Sequence, residues 1–457
     1  MKTQNKYFWS FLLKLAIPIA FQHLLINSLT FIDTLFMSQL GDVALSASGM
    51  ASQCNWLLSM VSFGICSGTA LFVSQFWGAK KYDDIDKTYA IAAVSAFFAS
   101  MVFFVVAFFF PKRIMSLFND NPEVINCGAS YLKAASFSYP ATVLSSVLCT
   151  VLRSTEKVRL PMFVSLISTS INIVLDYALV FGAFYLPEMG VTGAAVATAI
   201  SSWIGLAVLI IISNYQKNII IIPVSKFFSF TKNDFLNFMK KASPVILNEM
   251  MWGFGMVVNN AIYSNTGYEN YAACTILRTI ESLCLIMFIG LNDGGAVIIG
   301  KTVGEGKPDL AYSYAKKLSI SVPVLSLFIG GAIILVRKYV IHIFNISGNI
   351  TDYTLNVANL LVIIYGLEIA FRNIPYTMVC AVFRPGGDSI TGAKFDLICL
   401  WLLAIPVTYV VAFYSKLPFH LVFLTEYLVE DIPKAILCIK HFVSRKWIKP
   451  VAAIQNN

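Results

Sequence analysis

Residues Pro18–Gly41 read PIAFQHLLINSLTFIDTLFMSQLG. The stretch is long and apolar enough to cross a bilayer as a helix, yet it contains Asp33. A carboxylate in hydrocarbon costs several kcal/mol, so it needs a partner, a bound ion or a proton. Asp33 stands eight residues before Gly41, about 12 Å along a helix. That depth is inside the apolar slab, not at its wet edge.

The rest of the chain is of the same kind. Of 457 residues, 58% are hydrophobic and 12% charged, and the mean hydropathy is +0.74. Soluble domains carry about 25% charged residues. The composition describes an all-α polytopic membrane protein, because the spans are continuous apolar runs rather than alternating barrel strands. The net charge of +9 is scattered along the chain. It suits loops beside an anionic lipid surface better than a nucleic-acid partner. The nine cysteines lie almost all within apolar runs and suggest neither a disulfide framework nor a CxxC site. The opening MKTQNKYFWSFLLK has no small-residue cleavage site, so no removable signal peptide is expected.

Twelve apolar segments fall near 15–38, 50–76, 88–110, 129–152, 161–184, 190–213, 242–265, 272–300, 315–336, 353–383, 395–414 and 418–440. An even count puts both termini on one side. With that side inside, most loop lysines and arginines are inner, and only Lys112, Arg113, Arg337, Lys338 and Lys416 are outer. The positive-inside rule then predicts cytoplasmic termini and a multi-pass protein of the inner (plasma) membrane. The longest polar link, 214–241, separates an N-terminal lobe, 1–213, from a C-terminal lobe, 242–457. The two halves repeat at an offset of 226 residues: Pro18 meets Pro244, Gly41 meets Gly267, and Gly64 and Gly68 meet Gly290 and Gly294. Two pseudo-symmetric six-helix lobes facing a central cavity are the expected architecture of a secondary transporter. Pro18 and Pro244 should each kink the first helix of a lobe, and Pro18 is a candidate gating bend. The GxxxG pairs should permit close helix packing.

Gly295-AVII-Gly300-Lys301-Thr302 matches a phosphate-binding loop. That chemistry needs backbone N–H groups in a loop between strand and helix, whereas these residues end an apolar segment. No nucleotide is expected, and an ion gradient becomes the energy source. The four histidines are dispersed and form no metal motif. A stronger constellation lies within the spans. Asn172 and Asp176 are one turn apart on the fifth. Thr198 of the sixth and Asp33 of the first stand at a similar depth from their outer ends. Two carboxylates with amide and hydroxyl oxygens can hold Na⁺ or share a proton. The pattern also fits a buried structural hydrogen-bond network.

In the second half, Asn259 aligns with Asp33 and Glu249 with His23. Arg278/Glu281 and Glu368/Arg372 are spaced to neutralise themselves on single helices. Glu249 has no basic neighbour in sequence, so it is the leading coupling candidate there, with Glu281, Glu368 and Arg372 as further candidates for substrate or coupling roles. Asp293 and the group Glu426, Glu430, Asp431 and Lys434 fall nearer the cytoplasmic interface on this reading.

These residues resemble the multidrug and toxic compound extrusion (MATE) family over nearly the whole chain, and its DinF-like bacterial members in particular. The resemblance is carried by IDTLFMSQLG at Ile32–Gly41, LRSTEKVRLP at Leu152–Pro161, INIVLDYALVFG at Ile171–Gly182, LPEMGVTGAAVATAIS at Leu186–Ser201 and FRPGGD at Phe383–Asp388. It implies two six-helix lobes and export of organic cations or amphipathic drugs in exchange for H⁺ or Na⁺. It further implies that Asp33, Asn172, Asp176 and Thr198 match the N-lobe cation or proton site, and that Pro18 matches the first-helix bending proline. Asn373 stands where NorM-like members carry a carboxylate, while Glu249 resembles their seventh-helix acid. A lipid-linked oligosaccharide or lipid flippase of the same superfamily is the competing reading. Such a carrier needs basic residues for pyrophosphate, and the intramembrane balance here is acidic. No nucleophile–base or metal constellation suggests an enzyme, and no cofactor beyond the coupling ion is expected. A monomer in contact with membrane lipid is expected.

Overall fold

A computed structural model of the chain describes residues 2–223, 226–227, 230–344 and 351–451. Four residues of the 214–241 link (224, 225, 228 and 229) lie outside the described residues, as do 345–350 and 452–457 of the second half. Twelve membrane-length helices and no strand occur among the described residues. We number them α1 (Lys2–Gln39), α2 (Asp42–Gly78), α3 (Tyr82–Phe109), α4 (Pro122–Ser154), α5 (Arg159–Phe181) and α6 (Gly190–Tyr215). The second set is α7 (Lys232–Asn265), α8 (Tyr268–Gly304), α9 (Pro308–Phe344), α10 (Asp352–Gly386), α11 (Ser389–Tyr414) and α12 (Phe419–Val443). Apolar runs take this form because a helix satisfies its own backbone where there is no water. The repeat shows in the breaks. Gly41 separates α1 from α2 at φ 97°, and its mate Gly267 separates α7 from α8 at φ 137°. Both are conformations that glycine adopts without a Cβ clash.

Ten of the twelve are apolar enough to be recognised as spans by composition alone. The other two are α7, which carries Asn248, Glu249, Asn259 and Asn260, and α12, which carries Glu426, Glu430, Asp431 and Lys434. Their polar groups meet each other or neighbouring helices, as described below. The phosphate-loop lookalike, Gly295–Thr302, lies inside α8, where the helix uses its own amides, and the Lys301 ammonium stands over the Phe11 ring.

The chain packs as two compact units. One is Phe21–Ile246; the other is Met1–Ala20 together with Leu247–Asn457. The units are therefore offset from the repeating halves. The start of α1 belongs with the second half and the start of α7 with the first. In each case the change of unit comes two residues after a helix-interior proline, Pro18 or Pro244. The GxxxG pairs receive these segments. A Cβ on Gly290 would stand 2.7 Å from Ala20 Cβ, and one on Gly68 the same distance from Ala242 Cβ. Gly64 likewise leaves room for Ile246, whose Cα would be 2.6 Å from an added Cβ. Small residues at helical spacing let backbones approach this closely.

The turn between α10 and α11 is bound down by the residues after α12. Trp447 is fully buried against Gly386, Lys449 N–H donates to the Gly386 carbonyl at 2.7 Å, and Gly387 turns the chain at φ 101°. Asp388 caps α11 and accepts from the Thr391 hydroxyl at 2.9 Å. The Lys449 ammonium and His441 Nε2 both stand 2.9 Å from its Oδ2. Burial alone would raise the Asp388 carboxyl, but Lys449, Thr391 and His441 outweigh it and hold the group below the usual carboxylate range.

Candidate functional site

Three helices of the first unit converge on Asp33. Gly193 of α6 lies so close to α5 that an added Cβ would be 2.6 Å from the Leu179 carbonyl. Ser168 on α5 donates to the Ser201 carbonyl of α6 at 2.9 Å. Gln22 on α1 donates to Ser165 on α5 at 3.0 Å. These contacts fix α5 against both neighbours and bring the predicted residues together. Asn172 and Asp176 are fully buried. With its amide oriented to satisfy its surroundings, Asn172 Nδ2 donates to Asp176 Oδ2 at 2.8 Å. Its oxygen accepts from Ser201 Oγ at 3.1 Å and from the Thr198 backbone N–H at 3.2 Å. Thr198 is therefore at the site as predicted, and its main chain makes this contact.

The Asp33 and Asp176 carboxyl groups are in hydrogen-bonding contact. Oδ1 of each finds no donor among the described residues. Two bare carboxylates repel at such a distance, so the contact calls for a proton or a cation between them. Water is kept from one side by Met37, Val180, Val191 and Ala194, against which Phe36, Phe181 and Tyr131 pack. Tyr131 and Tyr139, both on α4, were not singled out from the sequence. Tyr131 lies within electrostatic reach of both carboxylates and adjoins Tyr139. The buried Tyr139 hydroxyl has no partner among the described residues. Ser201 was also missed, although it follows Thr198 by three residues and so shares its helix face.

The second unit corrects several expectations. Glu249 does have a basic partner: Arg384 of α10, at 2.7 Å, itself nearly fully buried. The spacing pairs Arg278/Glu281 and Glu368/Arg372 do not describe the ion pairing. Arg372 crosses to Glu281 on α8 at 2.6 Å and also donates to the Tyr427 hydroxyl at 3.3 Å. Glu368 instead faces Asp431 of α12. The acidic group of α12 is not at an interface, since Asp431 is its middle residue. Lys434 joins Asp396 of α11 at 2.6 Å and Glu430 at 3.6 Å. Asn248 donates to Asp396 at 3.0 Å, and Asn259 donates to Glu426. Of the polar residues that make α7 and α12 poor spans by composition, Asn259 and Glu426 thus meet each other, while Asn248, Glu249 and Lys434 reach α10 or α11. Asn373, on α10, donates to Ser326 of α9 at 2.9 Å. Pro18 lies within α1, two residues before the boundary of the compact units. Among the described residues no group of three or more His, Cys, Asp or Glu is arranged to hold a metal ion.

Comparison with known proteins gives a consistent picture. The model of the family described as MatE matches residues 18–178 and 244–410. The probable multidrug resistance protein NorM of Thermotoga maritima is 25% identical over 445 residues, spanning 96% of this chain and 93% of its own. The uncharacterized transporter YisQ of Bacillus subtilis is 22% identical over 419 residues, 91% of this chain and 90% of its own. Among solved structures, the Vibrio cholerae MATE transporter VcmN in the bent form superposes with a TM-score of 0.84 at 17% identity, covering 98% of this chain and 100% of that one. The eukaryotic MATE transporter AtDTX14 gives 0.82 at 19% identity, with 99% of each chain covered. These likenesses bear on the fold: two lobes of six helices.

Proposed function

From the premise that this chain belongs to the MatE family of multidrug-efflux transporters, we propose that it exports small organic cations or amphipathic drugs in exchange for H⁺ or Na⁺. The observation that carries the proposal is the buried Asp33–Asp176 carboxyl contact, held by Asn172 and Thr198 without a basic side chain in the network described. In so neutral a setting, charge on the pair is set by the ion it holds. Ion loss leaves two carboxylates facing each other, which favours separation of α1 from α5 or the arrival of a cationic cargo. Ion capture removes that charge and lets the apolar wall close.

Pro18 gives α1 a place to bend. It lacks the N–H that would bond one turn back, and the packing of α1 changes unit just beyond it. The α1 segment bearing Asp33 can thus rearrange while the segment before Pro18 stays with α8. Glu249 is held by Arg384 and serves on this reading to fix α7 to α10. Both termini are assigned to the cytoplasmic face of the plasma (inner) membrane, from the loop lysines and arginines. The partners are cargo and membrane lipid, with no nucleotide, nucleic acid or organic cofactor, and the working unit is one copy of the chain.

The test is efflux of a fluorescent organic cation from proteoliposomes, with ΔpH and ΔNa⁺ imposed separately and cargo binding measured alongside. Asp33→Asn should bind cargo but respond to neither gradient. Normal gradient response in that variant would place coupling elsewhere.

A further inference from the structure

Outside the site just described, the middle of the second unit holds a second pair of acids. Glu368 on α10 and Asp431 on α12 are 7% and 5% exposed, and their carboxyl groups are in hydrogen-bonding contact. Neither oxygen of Glu368 finds a donor among the described residues. The Tyr365 hydroxyl, one turn before Glu368 and fully buried, is also without a partner there, within electrostatic reach of Glu281, Glu368 and Arg372. So two acids stand in contact with an unpartnered phenol near them, and no described residue donates a hydrogen bond to Glu368.

We propose that Glu368 and Asp431 form a second proton-binding site of the transporter, holding one shared proton between their carboxyl oxygens. The inference rests on the reading of the chain as a cation-coupled exporter. A proton fits better than Na⁺ for two reasons. The Arg372 guanidinium, one turn along α10 from Glu368, already places a positive charge beside the pair. Among the described residues, no third His, Cys, Asp or Glu joins the pair to complete a metal-holding group.

The charges around the pair are the following. From α8 comes Glu281, which holds Arg372. From α10 come Arg372 and Tyr365, and from α12 Tyr427, Glu430, Lys434 and Glu426, which accepts from Asn259 of α7. From α11 comes Asp396, paired with Lys434. Helix α9, which packs along α10, presents the Ser326 hydroxyl to Asn373 and, farther out, Arg337 to Asn359 at 3.0 Å. Every cation near the pair is therefore committed to another acid while the proton is present. When the proton leaves to water, two carboxylates face each other. Arg372 can then exchange Glu281 for Glu368, one turn back on its own helix. That exchange would cut the ion pair joining α8 to α10, so uptake and release of one proton makes and breaks an interhelical contact. The one covalent bond that changes is the carboxyl O–H, whose proton passes to water and returns from it.

The experiment uses the full chain in lipid. Infrared difference spectra on raising the pH read the carbonyl stretch of a protonated carboxylic acid, identified by its shift in D₂O. In an Asp33→Asn, Asp176→Asn background, where the first pair is silent, one such band should remain. It should disappear with Glu368→Gln and, independently, with Asp431→Asn, so that misfolding of one variant does not remove the test. In the chain with its first pair intact, Glu368→Gln should lower the number of protons moved per cargo by one. A band that persists in both variants overturns the proposal. So does a lost band with unchanged proton stoichiometry, which would make the proton purely structural. If instead the Asp33, Asp176 double variant keeps full coupling and Glu368→Gln abolishes it, the first-unit reading fails and the second site stands.

Discussion

The two carboxyl pairs solve one problem in opposite surroundings. Asp33–Asp176 sits among dipoles: an amide, a backbone N–H, a serine hydroxyl and two tyrosines. Glu368–Asp431 sits among ions, with Arg372, Glu281, Lys434 and Asp396 close by. Dipoles in a poorly hydrated site can orient a charge but cannot replace a lost counter-ion. The first pair should therefore behave as a switch with two states. A pair surrounded by salt bridges can be compensated when neighbours change partners, so the second should respond by degrees. On the proposed reading, the difference teaches that the mobility of nearby counter-charge, and not burial alone, sets how sharply each pair should respond.

The largest effect should come from removing the switch. The double variant Asp33→Asn, Asp176→Asn should lose gradient-driven efflux by about 5- to 150-fold, the usual span of a coupling free energy, in vesicles with cargo binding retained. A smaller loss than that of Glu368→Gln would reverse the ranking of the two pairs. Next comes Glu281→Gln, which strands Arg372. Breaking a buried ion pair commonly costs about 3–5 kcal/mol, and the Arg372 side chain here is 26% exposed. Here the loss in unfolding free energy should be less, because Glu368 can give up its proton and take Arg372. The full penalty in denaturant titrations would mean that no exchange occurs.

A finer distinction separates the two groups that satisfy Asn172. Ser201→Ala removes a side-chain donor, and a net loss of about 0.5–1.5 kcal/mol should weaken coupling several-fold. Thr198→Ala keeps the backbone N–H that does the bonding, so its effect should be the smaller of the two in the same efflux assay. Equal losses would mean that the Thr198 hydroxyl matters to the ion directly.

The smallest effect serves as a control on pH. Asp388 lies at a turn between spans, and its folded carboxyl is held below the ordinary value, which is about 3.9. A lowered carboxyl contributes stability that is fully present above that ordinary value and is lost as pH falls through the lower folded one. Tail docking, followed by Trp447 fluorescence, should therefore stay flat between about pH 6 and 8 and weaken only below about pH 4. Any neutral-range change in transport must then arise elsewhere. A neutral-range loss of docking would show that Asp388 does not govern the latch.

How legible all this was in the sequence depends on the distance between partners. Asp33, Asn172, Asp176 and Thr198 could be placed together because depth along a helix is a local measure, and each span had a marked outer end. The twelve spans were readable for the same reason. Glu249 and Arg384 are 135 positions apart, and only packing brings them together. Spacing on one helix suggested partners for Glu281, Glu368 and Arg372, but a side chain one turn away is only one of several candidates once other helices surround it. Asp431 was misplaced because α12 is so rich in charge that its middle resembled an end. Tyr131 and Tyr139 were hidden by chemistry, since an aromatic ring in an apolar run reads as packing whether or not its hydroxyl has work.

The unit boundaries after Pro18 and Pro244 bear on how the chain is made. Synthesis runs from N- to C-terminus, so the segment before Pro18 emerges long before the α8 glycines on which it rests. Ala16 and Ala20 wait for Gly290 and Gly294, while α2 waits for Ala242 and Ile246. The first unit therefore cannot complete its packing when its own repeat is finished, and contacts of such long sequence separation form late. In the interval, the α2 glycines Gly64 and Gly68 stand open. A ribosome that stalls between α6 and α7 would release six inserted helices without the piece that closes them, and with an opening segment whose place has not been built.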